Sequence, residues 1–380
     1  MFLLVKAKHV MVRDFKMFVH TVIFFKNSFM YGKIISGMLF LTFCCFGCAD
    51  TEVAPQDDSG RTLSILNWEN YMDMNVVHAF EETYDIDVEF EYYESEDEMV
   101  SLLISNQGEY DLVIASGSMV ESLITRKLIM PIQKESIENS SLVVYSFRTF
   151  PSPRIQEYSV PFLWGTTGIA VNREQVKDKN PGWDILFDER YAGKIDMLND
   201  IQENFSPALK VVGASIKSTD EDDLLAAEEV LKEQKNIING YFDPLTIQHH
   251  LEEGSVSVAY IYSGDCYIAM EENENIEYII PDSGAPIWMD CWVIPIAAPH
   301  ALDAHAFIDF ILEPENIAQI SNYLWYANTV RDSISYLNPE LLNTPMIYLE
   351  EELMNRCEYY EPLSVSTNAF MNKVWADLQQ

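Results

Sequence analysis

The chain has 380 residues, 24 Lys+Arg against 60 Asp+Glu, 48% hydrophobic residues and six cysteines. That length fits one large domain or two ordinary ones, and the apolar share is too high for a disordered acidic chain, so the charge belongs to a folded surface. A net charge of −36 argues against nucleic acid and anionic lipid as partners, since both recruit basic stripes, and fits neutral or cationic ligands better.

Residues 1–47 differ from the rest. They carry six basic residues (Lys6, Lys8, Arg13, Lys16, Lys26 and Lys33) and one acid, Asp14, and they end in an uncharged, mostly apolar run from Ile34 to Gly47, just before Cys48. A basic flank, an apolar stretch too short to span a membrane and a small residue before a cysteine make a secretory signal of the bacterial lipoprotein type. Cleavage is expected behind Gly47, with Cys48 lipidated, and translation can equally begin at Met30. The competing reading, an uncleaved anchor from about Val19 to Gly47, would place Lys26 and Lys33 inside the membrane. The exported body, residues 48–380, keeps 18 basic and 59 acidic residues, a net charge of −41. Its later cysteines, Cys266, Cys291 and Cys357, are widely spaced and odd in number, which supports neither a disulfide framework nor a zinc site and leaves buried free thiols as the expectation.

Residues 48–60 are polar, without periodicity, and read as a linker. Leu63–Trp68 is then a short apolar run and Asn75–Thr83 a helix. Asp85–Tyr92 alternates, with Ile86, Val88, Phe90 and Tyr92 on one face. Glu96–Ser105 reads as a helix, Tyr110–Ser116 as a buried strand and Val120–Leu128 as a helix. A second set begins near Tyr158, with strands at Gly168–Asn172, Ile195–Leu198, Val256–Tyr262 and Trp292–Ala297. Asp220–Gln234 is a helix capped by Ser218 or Thr219, and two more follow at Asp303–Leu312 and Glu315–Leu324. The β-α-β-α order predicts two α/β lobes with mainly parallel sheets.

The motifs of hydrolases, nucleotide-binding loops, zinc proteases and dinucleotide folds are missing. Gln248-His249-His250 with Glu252 and Glu253 reads as a solvated helix face, and Asp220–Asp223 as the acidic start of a helix. No metal, cofactor or catalytic residue is expected. Instead, aromatic residues and carboxylates sit together near strand ends: Trp68-Glu69-Asn70-Tyr71, Asp200 with Glu203, Tyr262-Ser263-Gly264-Asp265, and Trp288-Met289-Asp290. Ligands of open α/β sheets gather beyond the carboxyl ends of the strands. Flat apolar walls with negative poles complement an aliphatic chain that ends in ammonium groups.

At these residues the sequence resembles the bacterial polyamine-binding proteins, the spermidine/putrescine-binding components of ABC transporters. The likeness runs from about Leu63 to Leu378 through NWENY (67–71), YDLVIAS (110–116), YSVPFLWGTTGIAVN (158–172), GWDILFDERYAGKIDML (182–198), YIYSGD (260–265), WMDCWVIP (288–295) and LWYANT (324–329). It implies a periplasmic-binding-protein-like (type II) α/β fold, with lobe 1 at 61–165 and 293–380, lobe 2 at 166–292, and a ligand cleft between them.

By position, the resemblance implies Trp68 and Trp288 as aromatic walls, with Tyr71 and Tyr326 at the cleft and Tyr262 where the family commonly has Trp. Asp290 and Glu203 would hold ammonium groups, and Asp200 would act directly or in support. Asp265 and Ser118 match putrescine-type members. Glu69 and Asn70 depart from the usual residues of NWxxY, and Glu361 falls on a late polar position. Putrescine is therefore expected ahead of spermidine, delivered by a monomer held at the extracytoplasmic membrane face to ABC permease subunits. The other readings are the same fold binding a different cation, a sensing role, and, last, a carboxylate-pair enzyme built on Asp200 and Glu203.

Overall fold

Strands that are apolar at nearly every position need cover on both faces, and these have it. The structure, a computed structural model, describes residues 61–144, 147 and 154–379; the expected signal, Cys48 and the linker lie outside the described residues. The chain opens with β1 (Arg61–Trp68), α1 (Met74–Tyr84), β2 (Ile86–Tyr93), α2 (Glu96–Ser105), β3 (Leu112–Ser116), α3 (Gly117–Thr125) and β4 (Ile129–Met130). Next come β5 (Ser159–Asn172), β6 (Ile195–Leu198), α4 (Ile201–Val211), α5 (Glu221–Gln234), β7 (Gly240–Phe242), α6 (Pro244–Glu252), β8 (Val258–Tyr262), α7 (Ser263–Glu272) and β9 (Ile276–Ile279). The last part holds β10 (Pro286–Pro295), α8 (Ala301–Ile311), α9 (Pro314–Leu324), β11 (Ala327–Asn328), α10 (Pro339–Asn343), α11 (Glu351–Met354), β12 (Glu358–Tyr359) and α12 (Val365–Leu378).

The strands run β2-β1-β3-β10-β5-β8-β6-β7, with β9 and β11 on β5 and β4 and β12 on β10. The β1/β3, β6/β8 and β6/β7 pairs are parallel, whereas β10 is antiparallel to both β3 and β5. Side chains alternate across the first sheet. Leu63, Ile65, Leu112, Ile114 and Trp292 face α1, α8 and α9, and Leu66, Val113, Ala115 and Val293 face α2 and α3. In the second, Ile169, Val171, Met197 and Tyr260 pack with Leu251 of α6 and Ala269 of α7.

β5 joins the two. Its first half pairs with β10 and β11, and its second half with β8 and β9. The sequence places a strand only at Gly168–Asn172; the structure extends it back to Ser159, all 14 residues buried. β10 likewise begins at Pro286 and not at Trp292. Thr62–Gln380 forms one compact unit.

Three local expectations need correction. Tyr92 is 47% exposed, while Tyr93 turns inward and its hydroxyl donates to the carbonyl of Ile114 at 2.8 Å. α5 is capped by Asp220, whose Oδ1 accepts from the amides of Asp222 at 3.0 Å and Asp223 at 3.4 Å, and not by Ser218 or Thr219. α3 begins at Gly117, directly after β3, and stops at Thr125. In the final helix, Met371, Val374 and Leu378 of α12 pack on Phe205 of α4 and Leu224 of α5.

The turn into β10 leaves no room for a side chain. Gly284 has φ +81°, and a Cβ there would overlap the Arg356 carbonyl ahead of β12. Gly284→Ala is expected to cost about 1–3 kcal/mol through overpacking and a disfavoured φ, seen as a lower Tm; an unchanged Tm would contradict this packing.

Candidate ligand-binding site

The site begins with strand ends that turn at once into helices. Ser116 closes β3 and caps α3, its Oγ accepting from the Met119 amide at 3.2 Å. Asp200, two residues beyond β6, caps α4 by accepting from the Glu203 amide at 2.9 Å. Tyr262 ends β8 and is followed by α7, which carries Asp265 in its first turn. After β1 the buried side chain of Asn67 braces a tight turn, accepting from the Trp68 amide and donating to the Tyr71 carbonyl. Trp68 and Tyr71 are thereby turned inward, while Glu69 and Asn70 are exposed, with Asn70 left-handed at φ 57°.

Aromatic rings line this region. Trp68 lies on Tyr93 with ring centres 4.1 Å apart. Trp288 meets Tyr326 edge-on at 4.9 Å and Tyr262 at 5.7 Å, and Tyr71 lies 6.0 Å from Tyr326. The Trp288 indole lies flat against Gly165, its partner on β5, where a Cβ would stand 2.5 Å from Cζ2. Only glycine admits the ring at that position. The Trp288 Nε1 and Tyr71 hydroxyl are buried without a hydrogen-bond partner among the described residues.

Five carboxyl groups lie among these rings. Glu203, 4% exposed, accepts from Tyr260 at 2.8 Å and Thr167 at 3.1 Å. Tyr360 also acts on it and shares a 2.9 Å hydrogen bond with Ser206. Asp265 accepts from the Tyr326 hydroxyl at 2.6 Å. Asp290 is 7% exposed, and the Tyr71 hydroxyl beside it acts to lower its pKa. Asp200 and Glu96 complete the set, and Glu96 feels the charges of both Asp200 and Asp290.

Burial is the largest influence on all five. It pushes Asp265 up to about 6, Asp290 to about 7, and Glu96 and Glu203 to about 8, and it raises Asp200. Neighbouring carboxylates push Glu96, Glu203 and Asp265 further in the same direction, against the pull of hydroxyl and amide donors. Among the described residues, no lysine, arginine or histidine is ion-paired with any of them. A buried carboxylate in that condition either keeps its proton or requires a cation.

Of the residues singled out from sequence, Trp68, Tyr71, Asp200, Glu203, Tyr262, Asp265, Trp288, Asp290 and Tyr326 come together. Ser118 is half-buried beside them, its Oγ 2.8 Å from that of Ser116. Glu69 and Asn70 are hydrogen-bonded to none of the carboxyls. Glu361 is not part of the group: it is 57% exposed and ion-paired with Lys217 at 2.7 Å. Its neighbour Tyr360 faces inward, because successive residues of an extended segment point to opposite sides. Lys210 and Ser215 both donate to Glu358, which ties this segment to α4. Sequence reasoning missed Glu96, Tyr93, Thr167, Tyr260 and Tyr360. For Tyr360 the signal was the pair Tyr359-Tyr360 just before the acid that was chosen.

A two-lobed α/β fold of this kind is that of the periplasmic-binding-protein type of substrate-binding protein. The chain belongs to the bacterial extracellular solute-binding protein family, whose model matches residues 75–343. It is 27% identical over 319 residues to the spermidine/putrescine-binding periplasmic protein of Escherichia coli K12, covering 83% of this chain and 91% of that protein. It is also 27% identical over 343 residues to the putrescine-binding periplasmic protein SpuD of Pseudomonas aeruginosa, covering 85% and 93%. Among solved structures, the spermidine/putrescine transporter substrate-binding protein PotD of Streptococcus pneumoniae matches with a TM-score of 0.71 at 25% identity, covering 84% of this chain and 98% of that one. The TpPotD lipoprotein of Treponema pallidum matches at 0.73 and 25%, covering 83% and 99%. The resemblance read from the sequence is borne out.

The raised carboxyls fix a pH response. Each binds its proton more tightly in the folded than in the unfolded chain, so its stabilising contribution is complete below the ordinary carboxylate range and is lost as pH rises through its own value. That window runs from near 4 through about 6, 7 and 8. The ligand-free protein is expected to melt at progressively lower temperature as pH rises from acid to mildly alkaline; a flat or rising Tm over that range would contradict the site electrostatics.

Proposed function

We propose that this protein captures a polyamine among Asp200, Glu203, Asp265 and Asp290 and presents it to an ABC permease at the outer face of the cell membrane. The observation that carries this reading is a set of buried and half-buried carboxyls, ion-paired with no basic side chain among the described residues, beside Trp68, Trp288, Tyr71, Tyr262 and Tyr326. Ammonium groups supply the missing charge, and the rings pack along the methylenes between them. The names of the relatives support the same ligand class.

In this mode Asp290, Glu203 and Asp200 hold one end of the ligand and Asp265 with Tyr326 the other. Asp265 as an acid at the far end, with the small Ser118, favours putrescine over spermidine. Each charged hydrogen bond contributes about 1.5–3 kcal/mol and each buried methylene about 0.8 kcal/mol, against an association cost of about 4–15 kcal/mol. A preformed pocket is therefore needed for tight binding. Closure of the two lobes about β5 and β10 would tell the permease loaded from empty, as hinge motion does in periplasmic binding proteins. Cleavage behind Gly47 and lipidation of Cys48 would keep the protein at the membrane; among the described residues no helix is long and apolar enough to cross it. The name of the Treponema relative, a lipoprotein, supports that anchor.

Calorimetry on protein refolded to remove carried-over ligand, titrated with putrescine, cadaverine, spermidine and spermine, tests the reading. One-to-one binding of putrescine ahead of spermidine is expected, and Asp290→Ala should weaken it at least about tenfold, the loss of one charged contact. No heat with any polyamine from folded protein would overturn the ligand class.

A further inference from the structure

Glu96 is the one carboxyl of the five that no strand-end motif announced, and its placement is not that of an ordinary helix-start acid. The N-terminus of α2 is already satisfied without it: Ser95 accepts from the Glu98 amide at 3.2 Å, and Glu98 reaches back to the Glu94 amide at 2.8 Å. Asp97 and Glu98 are exposed, as first-turn acids usually are, whereas Glu96 is half-buried. Its Oε1 accepts from the Ser116 amide at 3.2 Å. Ser116 is the residue directly opposite Asp290 in the antiparallel β3/β10 ladder, and opposite residues of such a pair have neighbouring Cβ atoms on one face. One hydrogen bond thus anchors the Glu96 carboxyl beside the Asp290 end of the site. Next to Asp290 stands the hydroxyl of Tyr71, a residue nine-tenths buried, with no hydrogen-bond partner among the described residues.

We propose that Glu96 is a specificity-determining residue that fits this site to amines carrying more than two positive charges. The inference rests on the polyamine reading and deepens it. A diamine brings two ammonium groups, which Asp265 and the Asp290/Glu203 end can take, and leaves Glu96 without a counter-charge. A triamine brings a third, and the carboxyl held at Ser116 offers it an anionic partner among groups contributed from both halves of the fold, Glu96 and Asp290 on one side and Asp200 on the other. Glu96 thereby admits spermidine to a pocket whose other residues favour putrescine.

The test is the ratio of two affinities. Putrescine and spermidine are titrated by calorimetry into the wild-type protein, Glu96→Gln and Glu96→Asp at one pH near neutrality. Glutamine keeps the acceptor for the Ser116 amide and removes only the charge. Spermidine binding is expected to fall about tenfold in Glu96→Gln, the effect of one lost charged contact, while putrescine changes by less than about twofold, and Glu96→Asp should keep the wild-type ratio. An unchanged ratio in Glu96→Gln overturns the proposal, whether both affinities stay or both fall together. A ratio lost equally in Glu96→Asp overturns it as well, since charge would not be the determinant. Wild-type protein that binds neither amine removes the polyamine reading and this inference with it, whereas binding with an unmoved ratio removes only the role of Glu96.

Discussion

A carboxylate taken out of water must be compensated by a proton, a set of donors or a cation, and this fold collects five carboxyls that no basic side chain ion-pairs among the described residues. The rest of the structure can be read from that constraint. Hydroxyls provide part of the compensation: Tyr260, Thr167 and Tyr360 at Glu203, and Tyr326 at Asp265. Retained protons provide another part, because burial pushes these acids above their ordinary range. In the proposed mode the ammonium groups of the ligand supply the remainder, and the aromatic rings pack along its methylenes.

The same constraint gives meaning to the topology. β5 and β10 are paired with each other and also build both halves of the sheet system, and they carry Gly165, Thr167, Trp288 and Asp290 at or near the crossing. The helices that start beyond β3, β6 and β8 bring Ser118, Glu203 and Asp265 to the same region. Two of the wall contacts depend on an absent side chain or a braced turn: Trp288 lies where only glycine can stand on β5, and Trp68 and Tyr71 are aimed by the buried Asn67. In the proposed mode a ligand that bridges Asp290, on the shared strands, and Asp200 with Glu203, on α4, ties one half of the fold to the other.

Much of this was legible in the sequence because the signals were of the kinds that sequence displays directly. Apolar runs marked the central strands, acids and rings clustered after them, and the motif order carried the resemblance. Other features depend on neighbours distant in sequence. The 14-residue β5 contains Pro161, Thr166 and Thr167, so its first half shows neither a clean alternation nor a continuous apolar run; only pairing with β10 and β11 makes it a strand. Glu96 looks like any first-turn acid until Ser116, 20 residues on, is seen to draw it inward. Tyr92 and Tyr93 cannot be told apart by composition, and the choice is made by the Ile114 carbonyl that accepts from Tyr93. Glu361 and Tyr360 are neighbours in an extended segment, where one residue exchanges inside for outside: Tyr360 is buried and Glu361 exposed. Helix caps failed for a similar reason, since Ser218, Thr219 and Asp220 are all competent and the backbone selects the last.

The central claim is that ammonium groups of the ligand replace protons held by the buried carboxyls. It is tested most directly by calorimetric titration of the ligand-free protein with putrescine near neutral pH in buffers of different ionisation enthalpy, which counts the protons exchanged per ligand bound. Net release of protons is expected, shrinking as pH rises above about 8, where Glu203 is already ionised. Binding with no proton exchange near neutrality would mean that the buried carboxyls are already charged before the ligand arrives, and would contradict the compensation on which this site is built.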